Sequence, residues 1–445
     1  MRPAPSGVQR LRDLLAANRR GERAGAASIC SAEPFVLEAA AERAARHGGL
    51  LCIESTASQV NQHGGYAGMT PPAFRDVVAR VAAAAGVPPS ALLLGGDHLG
   101  PYPWRALPAA EAMASAKELV RACVLAGYGK LHLDSSMACA DDPGGAGGPL
   151  DEETATARAV DLCRAAEAAR DELDASTPPP VYVIGTEVPA PGGEAAGAGV
   201  PAVTPVAAVA RTLTLARDGF AAAGLDDAFG RVVAVVVQPG VEFGDETTLD
   251  YDPSAAEGLS VYLRREWPLV YEAHSTDYQT PAALARLVND GFGVLKVGPW
   301  LTFAFREALF ALEGIESEWL GGRRAVEPSE LRATLEREMV AQPGHWAPYY
   351  AGDADAVRLK RAFSYSDRCR YYWPRPTVRA AIRRLLTNVS GGPGQGGIPL
   401  TLLSQYMPEQ YDAVRAGELA AHPAALIRDR IGRVIASYDS ACGVV

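Results

Sequence analysis

Eight times in its first 300 residues the chain passes through a short run rich in Val, Ile and Leu, and a longer, often alanine-rich stretch follows. The runs are "ASICSA" (27–32), "GLLCIES" (49–55), "ALLLGGD" (91–97), "KLHLDSS" (130–136), "VYVIGTE" (181–187), "RVVAVVVQPG" (231–240), "LVYEAHS" (269–275) and "GVLKVGP" (293–299). Between them, "PPAFRDVVARVAAAAG", "EAMASAKELVRACVLAGYG" and "TPAALARLVNDGFG" have helical spacing, and their final glycines are expected helix stops. Strands buried on both faces read as continuous apolar runs, and alternation with helices implies parallel pairing. Eight such units predict an α/β fold, a (β/α)8 TIM barrel. A doubly wound open sheet is the alternative, because the pattern does not show closure. The expected organisation is an N-terminal amphipathic helix (1–25), the barrel (26–315) and a helical extension packed on it (316–445).

The polar residues of these runs gather at their C-terminal ends: Glu54, Asp97 with His98, Asp134, Glu187, Gln238 and His274, with Lys296 in the eighth. In a barrel those ends form one ring around one mouth, where active sites are built. The competing reading is that strands end in polar residues because they reach solvent. His98 and His274 on one rim, with carboxylates nearby, suit a divalent metal. Zn2+ is the first choice, with Ni2+, Co2+ or Mn2+ as alternatives. Glu187 is the expected third ligand, and Gln238 or Glu242 a fourth contact. His132, between Leu131 and Leu133, reads as a packing residue or a support behind a ligand.

Asp97, Glu187 and Asp134 are the candidate catalytic groups. Successive strand side chains face opposite ways, so Asp97 and His98 can share the mouth only if the chain bends there. Glu54, Ser275, Asp277, Lys296, Arg368 and Arg370 are the candidate substrate-binding residues. Asp277 is expected to meet sugar hydroxyls, and Thr280 with Pro281 to start a helix. The two arginines offer bidentate donors to a phosphate, or simply pair with acids at the surface.

The formal net charge of −10 comes with no basic stripe, which disfavours nucleic acid. No stretch stays apolar for the ~20 residues of a membrane helix. The N-terminus has arginines but no apolar signal core, and Asp13 and Glu22 weaken a transit-peptide reading. Seven scattered cysteines without a Cys-x-x-Cys pair read as reduced thiols of a cytoplasmic protein. Neither a Walker loop, nor Gly-x-Gly-x-x-Gly after a strand, nor Gly-x-Ser-x-Gly is present. The Gly- and Pro-rich loops 141–149 and 189–203 read equally well as linkers and as lids over the mouth. The largely helical stretch from about 316 to 445, with its unusual segments 364–376 and 402–411, suits a helical cap or an oligomer surface.

The strings "IESTASQVNQHGGYAGMTP", "LLGGDHLGPYPW", "LHLDSSMACADDP", "VVQPGVEFG", "EAHSTDYQTP" and "SYSDRCRYYWP", in this order, resemble the GatZ/KbaZ family of D-tagatose-1,6-bisphosphate aldolase subunits. The resemblance spans about residues 8–440. It implies a cytoplasmic barrel of galactitol and tagatose catabolism that supports the activity and stability of a separate class II aldolase chain. The implied ligand is a sugar phosphate, and an oligomer is expected. Some relatives are described as ketose or ketose-phosphate 4-epimerases. A stand-alone metal-dependent fructose 6-phosphate/tagatose 6-phosphate epimerase is therefore the alternative function.

The family is itself similar to class II aldolases. There an Asp-His pair ends the third unit, as Asp97 and His98 do here. His274 matches a second zinc histidine, but "STD" follows it in place of a Gly-rich turn that binds phosphate. Gln238 stands where the resemblance calls for a further zinc histidine. A neutral carboxamide is a weaker ligand than imidazole, so unaided zinc aldolase activity is not expected of this chain.

Overall fold

The computed structural model describes residues 6–185, 202–323, 326–391 and 397–445. The eight apolar runs form eight parallel strands: β1 (Ala26–Cys30), β2 (Leu51–Thr56), β3 (Leu92–Leu99), β4 (Lys130–Leu133), β5 (Val181–Ile184), β6 (Val232–Val237), β7 (Val270–Ala273) and β8 (Phe292–Val297). Each pairs with its neighbours in the chain, and β1 pairs with β8, so the sheet closes. Closure excludes the open sheet. A helix follows every strand, from Pro34–His47 after β1 to Pro299–Leu320 after β8. A small antiparallel hairpin, Glu242–Phe243 with Thr248–Leu249, is added after β6.

The helix stops follow left-handed glycine geometry, which costs glycine least. Gly86 stops its helix as expected, at φ 83°. The other two helices end earlier, before Gly127 (φ 84°) and Gly291 (φ 99°), not at Gly129 and Gly293. Gly293 lies inside β8. Thr280 caps the helix Pro281–Asn289 by accepting from the Ala283 N–H.

The barrel has two apolar layers. Outward-facing residues such as Ile53, Leu131, Tyr182 and Leu295 pack under the helices. Inward-facing Cys52, Leu93, Val181, Val183, Val236, Val270 and Val294 fill the lower barrel. The N-terminal helix Gly7–Arg19 presses Leu11 and Leu15 into that inner layer and plugs the bottom. The C-terminal segments are mostly helical. Their last helix, Pro423–Ala441, lies against Pro34–His47, Pro281–Asn289 and Pro299–Leu320. It therefore straddles the seam between β1 and β8. All seven cysteines are free. No helix among the described residues is long and apolar enough to cross a membrane.

Candidate functional site

Above the apolar filling, the barrel interior turns polar. Side chains two apart on a strand share a face, so Lys130 and His132 both point inward, as do Glu272 and His274. Gly95 explains how the charged layer fits. It sits between Glu54 and Lys130 in register, and a Cβ there would lie 2.7 Å from Glu54 Cγ. Glu54 and Lys130 thus meet over a bare backbone, Nζ to Oε1 at 2.7 Å. Lys130 also reaches Glu272 Oε2 at 2.7 Å. Lys296 pairs with the other oxygen of Glu54 and lies 3.1 Å from Asp97 Oδ1. Each of these five groups is at least nine-tenths buried.

Burial opposes every one of these charges, and the mutual pairing overrides it. Lys130 and Lys296 hold Glu54 and Glu272 below the usual carboxylate range. His98 and Lys296 hold Asp97 well below it. Asp97 and the neighbouring acids lift Lys296 well above the usual lysine range. Lys296 is therefore a fixed ammonium, not an amine nucleophile.

His98, His132 and His274 converge over this layer. Their ring centroids are 4.9 Å apart for His98–His274 and 5.2 Å for the other two pairs. His98 adopts φ 47°, a left-handed conformation costly for a side-chain-bearing residue. That bend, with a register shift between Gly96 and Leu99, lets Asp97 and His98 serve one mouth. Ser275 (φ 53°) and Tyr278 (φ 64°) repeat the strain after His274. Asp134 contacts His98 Nδ1 at 2.7 Å and fixes the ring. Its other oxygen accepts from Ser136 N–H and Oγ. Burial works against a charge on His98, but Asp97 and Asp134 raise its pKa. Burial pushes His274 down to about 4, leaving a neutral imidazole.

Asp97, His132, Glu272 and His274 each place one ligand atom within 4.8 Å of the others. Asp97 Oδ1 lies 2.9 Å from His132 Nδ1. His274 Nε2 lies 3.2 Å from Glu272 Oε1. His132 Nε2 is buried without a hydrogen-bond partner. The layer sets three carboxylates (Glu54, Asp97, Glu272) against two lysines, a surplus of one negative charge. Imidazoles, carboxylates, an orphaned ring nitrogen and excess negative charge together fit a divalent cation.

The mouth opens into a cavity of about 1180 Å³ lined by Asp97, His98, His274, Ser275, Asp277, Lys296, Arg368 and Arg370, with Cys30, Tyr66 and Tyr371. Four expected residues are used differently. Glu54 lies beneath the cavity, locked by two lysines, and does not line it. Asp134 positions His98 instead of facing the cavity. Gln238 Oε1 accepts from Gly240 N–H (2.8 Å) and Val241 N–H (3.0 Å), so it caps a turn and is not a metal ligand. Asp277 Oδ1 accepts from Gly298 N–H (3.0 Å) and Trp300 N–H (2.8 Å), capping the helix that starts at Pro299, whose orphan donors need a partner. Glu187 and most of the 189–203 loop lie outside the described residues. Glu242 accepts from its neighbour Phe243 N–H in the added hairpin. Glu272, Lys130 and the cavity tyrosines Tyr66 and Tyr371 carried no expectation, and His132, expected to pack or to support a ligand from behind, lies in the cluster itself. The signal for Lys130, His132 and Glu272 was their i, i+2 spacing with Asp134 and His274.

The profile of the D-tagatose-1,6-bisphosphate aldolase subunit GatZ/KbaZ-like family matches residues 11–443. The chain belongs to that family. It is 44% identical over 432 residues to the D-tagatose-1,6-bisphosphate aldolase subunit GatZ of Salmonella agona (strain SL483), covering 97% of this chain and 99% of that one. The GatZ subunit of Salmonella newport (strain SL254) matches equally, 44% over 433 residues with the same coverage. A crystal structure described as a probable tagatose 6 phosphate kinase from Sinorhizobium meliloti 1021 superposes with a TM-score of 0.83 at 45% identity. That match covers 94% of this chain and all of the other. The shared fold of this GatZ/KbaZ-like chain is thus the complete barrel with its C-terminal helices.

Proposed function

We propose that this chain is a GatZ-type subunit of a tagatose-bisphosphate aldolase, supporting a separate class II catalytic chain, and that its barrel mouth binds a divalent metal and a sugar phosphate. The observation that carries the reading is 44% identity to GatZ subunits along 97% of the chain. The names of the GatZ relatives and of the solved relative differ in reaction but share a phosphorylated tagatose. The relatives carrying aldolase-subunit names do not favour a stand-alone 4-epimerase.

Zn2+ is the metal this donor set suits best, and His132, His274, Asp97 and Glu272 would hold it, with His98 alongside. When bound, such an ion supplies Lewis-acid polarisation of a carbonyl oxygen. The chain's own groups do the rest. Asp134 holds the His98 ring by Nδ1, leaving Nε2 on the cavity side, 3.8 Å from Asp97 Oδ2. His98 and Asp97 are an acid and a base poised to move a proton. Lys296 keeps Asp97 ionised.

Purification with and without a class II aldolase chain tests this. The chain alone is expected to leave tagatose 1,6-bisphosphate uncleaved. Added to the catalytic chain, it should raise turnover or thermal half-life severalfold. An unchanged partner overturns the subunit reading, and metal-dependent conversion of fructose 6-phosphate by the chain alone would replace it with the epimerase.

A further inference from the structure

Part of the cavity wall comes from the C-terminal part of the chain, where Asp367 adopts φ 45° and opens the turn Arg368–Tyr372. Arg370 is 8% exposed. It donates to the Ser366 carbonyl, to the Asp367 carbonyl at 3.1 Å and to the Tyr371 hydroxyl at 3.0 Å. Among the described residues no carboxylate lies within ion-pair distance of it. The nearby Asp367 carboxylate is committed to Arg306 (3.1 Å) and Thr302 (2.6 Å). A buried cation without a counter-ion is expensive unless something else supplies the charge.

Arg370 is not alone. Arg105, from the loop after β3, lines the same cavity. It lies 4.1 Å over the Tyr102 ring, and it too has no ion pair among the described residues. Arg368 lies over Tyr349 and donates to the His345 carbonyl at 3.0 Å. Among the described residues, the carboxylates that line the cavity are already engaged. Glu33 takes Arg379 at 2.6 Å, Asp97 takes Lys296, and Asp277 caps a helix. Burial alone would raise the Tyr371 phenol, yet Arg370 and Arg368 lower it. Arg370 and Arg105 thus bring positive charge to this wall with no carboxylate partner among the described residues, beside the phenols.

We infer that this wall is an anion subsite for a phosphate monoester, so that the mouth takes a phosphorylated sugar and rejects the free one. Guanidinium forks match phosphate oxygens, and the phenols of Tyr371 and Tyr349 add neutral donors. This deepens the proposed reading of the mouth and rests on it for the sugar. It assigns the phosphate to the C-terminal segment and Arg105, while the "STD" sequence after His274 offers no glycine-rich turn to hold it.

Calorimetric titration of the full-length chain with inorganic phosphate, at low salt and without any partner chain, tests the subsite. Fructose 6-phosphate should displace phosphate and fructose should not. Arg370→Gln and Arg105→Gln should each weaken phosphate binding about tenfold or more. Arg121→Gln, at an exposed pair with Glu172, should leave it unchanged. Arg370 also holds its turn, so the half-buried Arg105 keeps the test valid if Arg370→Gln misfolds. Absence of phosphate binding by the wild-type chain, or full affinity in Arg105→Gln together with a folded Arg370→Gln, overturns the proposal. Because no cleavage is measured, failure of the aldolase-subunit reading leaves this result standing.

Discussion

His132 and Gln238 pose opposite demands on the metal reading. His132 offers a buried, unpartnered Nε2 within the four-residue cluster, whereas the carboxamide of Gln238 is spent on a turn. His132→Ala should lower metal affinity by at least about 10–100-fold, measured as metal retained after dialysis against a chelator. Gln238→Ala should keep its metal and lose about 1 kcal/mol of stability. Asp277 makes a separate, pH-dependent prediction. Burial raises its carboxyl to about 6, against the lowering effect of its two N–H donors and of Arg370, with Tyr438 as a further neighbour. The folded chain thus holds this proton more tightly than the unfolded chain does. The stabilising contribution is complete below about pH 4 and is lost as pH rises through about 6. Asp277→Asn removes it, so the stability difference between wild type and variant should move by roughly 2–3 kcal/mol in favour of the variant between pH 4 and 7. Paired thermal or urea melts across that range measure it.

At the level of elements, the helix Gly7–Arg19 acts as a stopper under the barrel. Leu11→Ala there should cost about 2–5 kcal/mol by leaving a cavity among inner-layer residues, with metal and phosphate binding unchanged in the folded fraction. The barrel itself was legible because each strand is a continuous apolar run and each helix a spaced one. Of the strand ends, Asp97, His98, His274 and Lys296 line the cavity as their positions suggested, whereas Asp134 and Gln238 do not and Glu187 lies outside the described residues. What escaped was geometry that strand pairing and local backbone bends create. Asp277 caps the helix Pro299–Leu320 because β7 and β8 pair side by side, which brings the turns after them together. Asp134 reaches His98 because a left-handed residue turns the end of β3. His132 was readable in principle from its spacing to Lys130 and Asp134, but flanking leucines favour a packing role. The Arg368–Arg370 turn gave two candidate residues without a location, since the repeat pattern ends before it.

Across the whole molecule, charge is segregated. The chain carries a formal net charge of −10, yet the outer cavity wall is cationic. A local positive field inside a negative body focuses anions at one opening and repels them elsewhere. Phosphate affinity should therefore fall about threefold or more as ionic strength rises from about 0.01 M to about 0.15 M, despite the overall negative charge, and calorimetry in graded NaCl checks it. The last helix, Pro423–Ala441, bridges helices from the first, seventh and eighth units. During synthesis, the first strand must therefore wait for nearly the whole chain before its seam is covered. A chain that stops short of Pro423 leaves that join uncovered, with the faces of Pro34–His47 and Pro299–Leu320 on which this helix packs open to solvent.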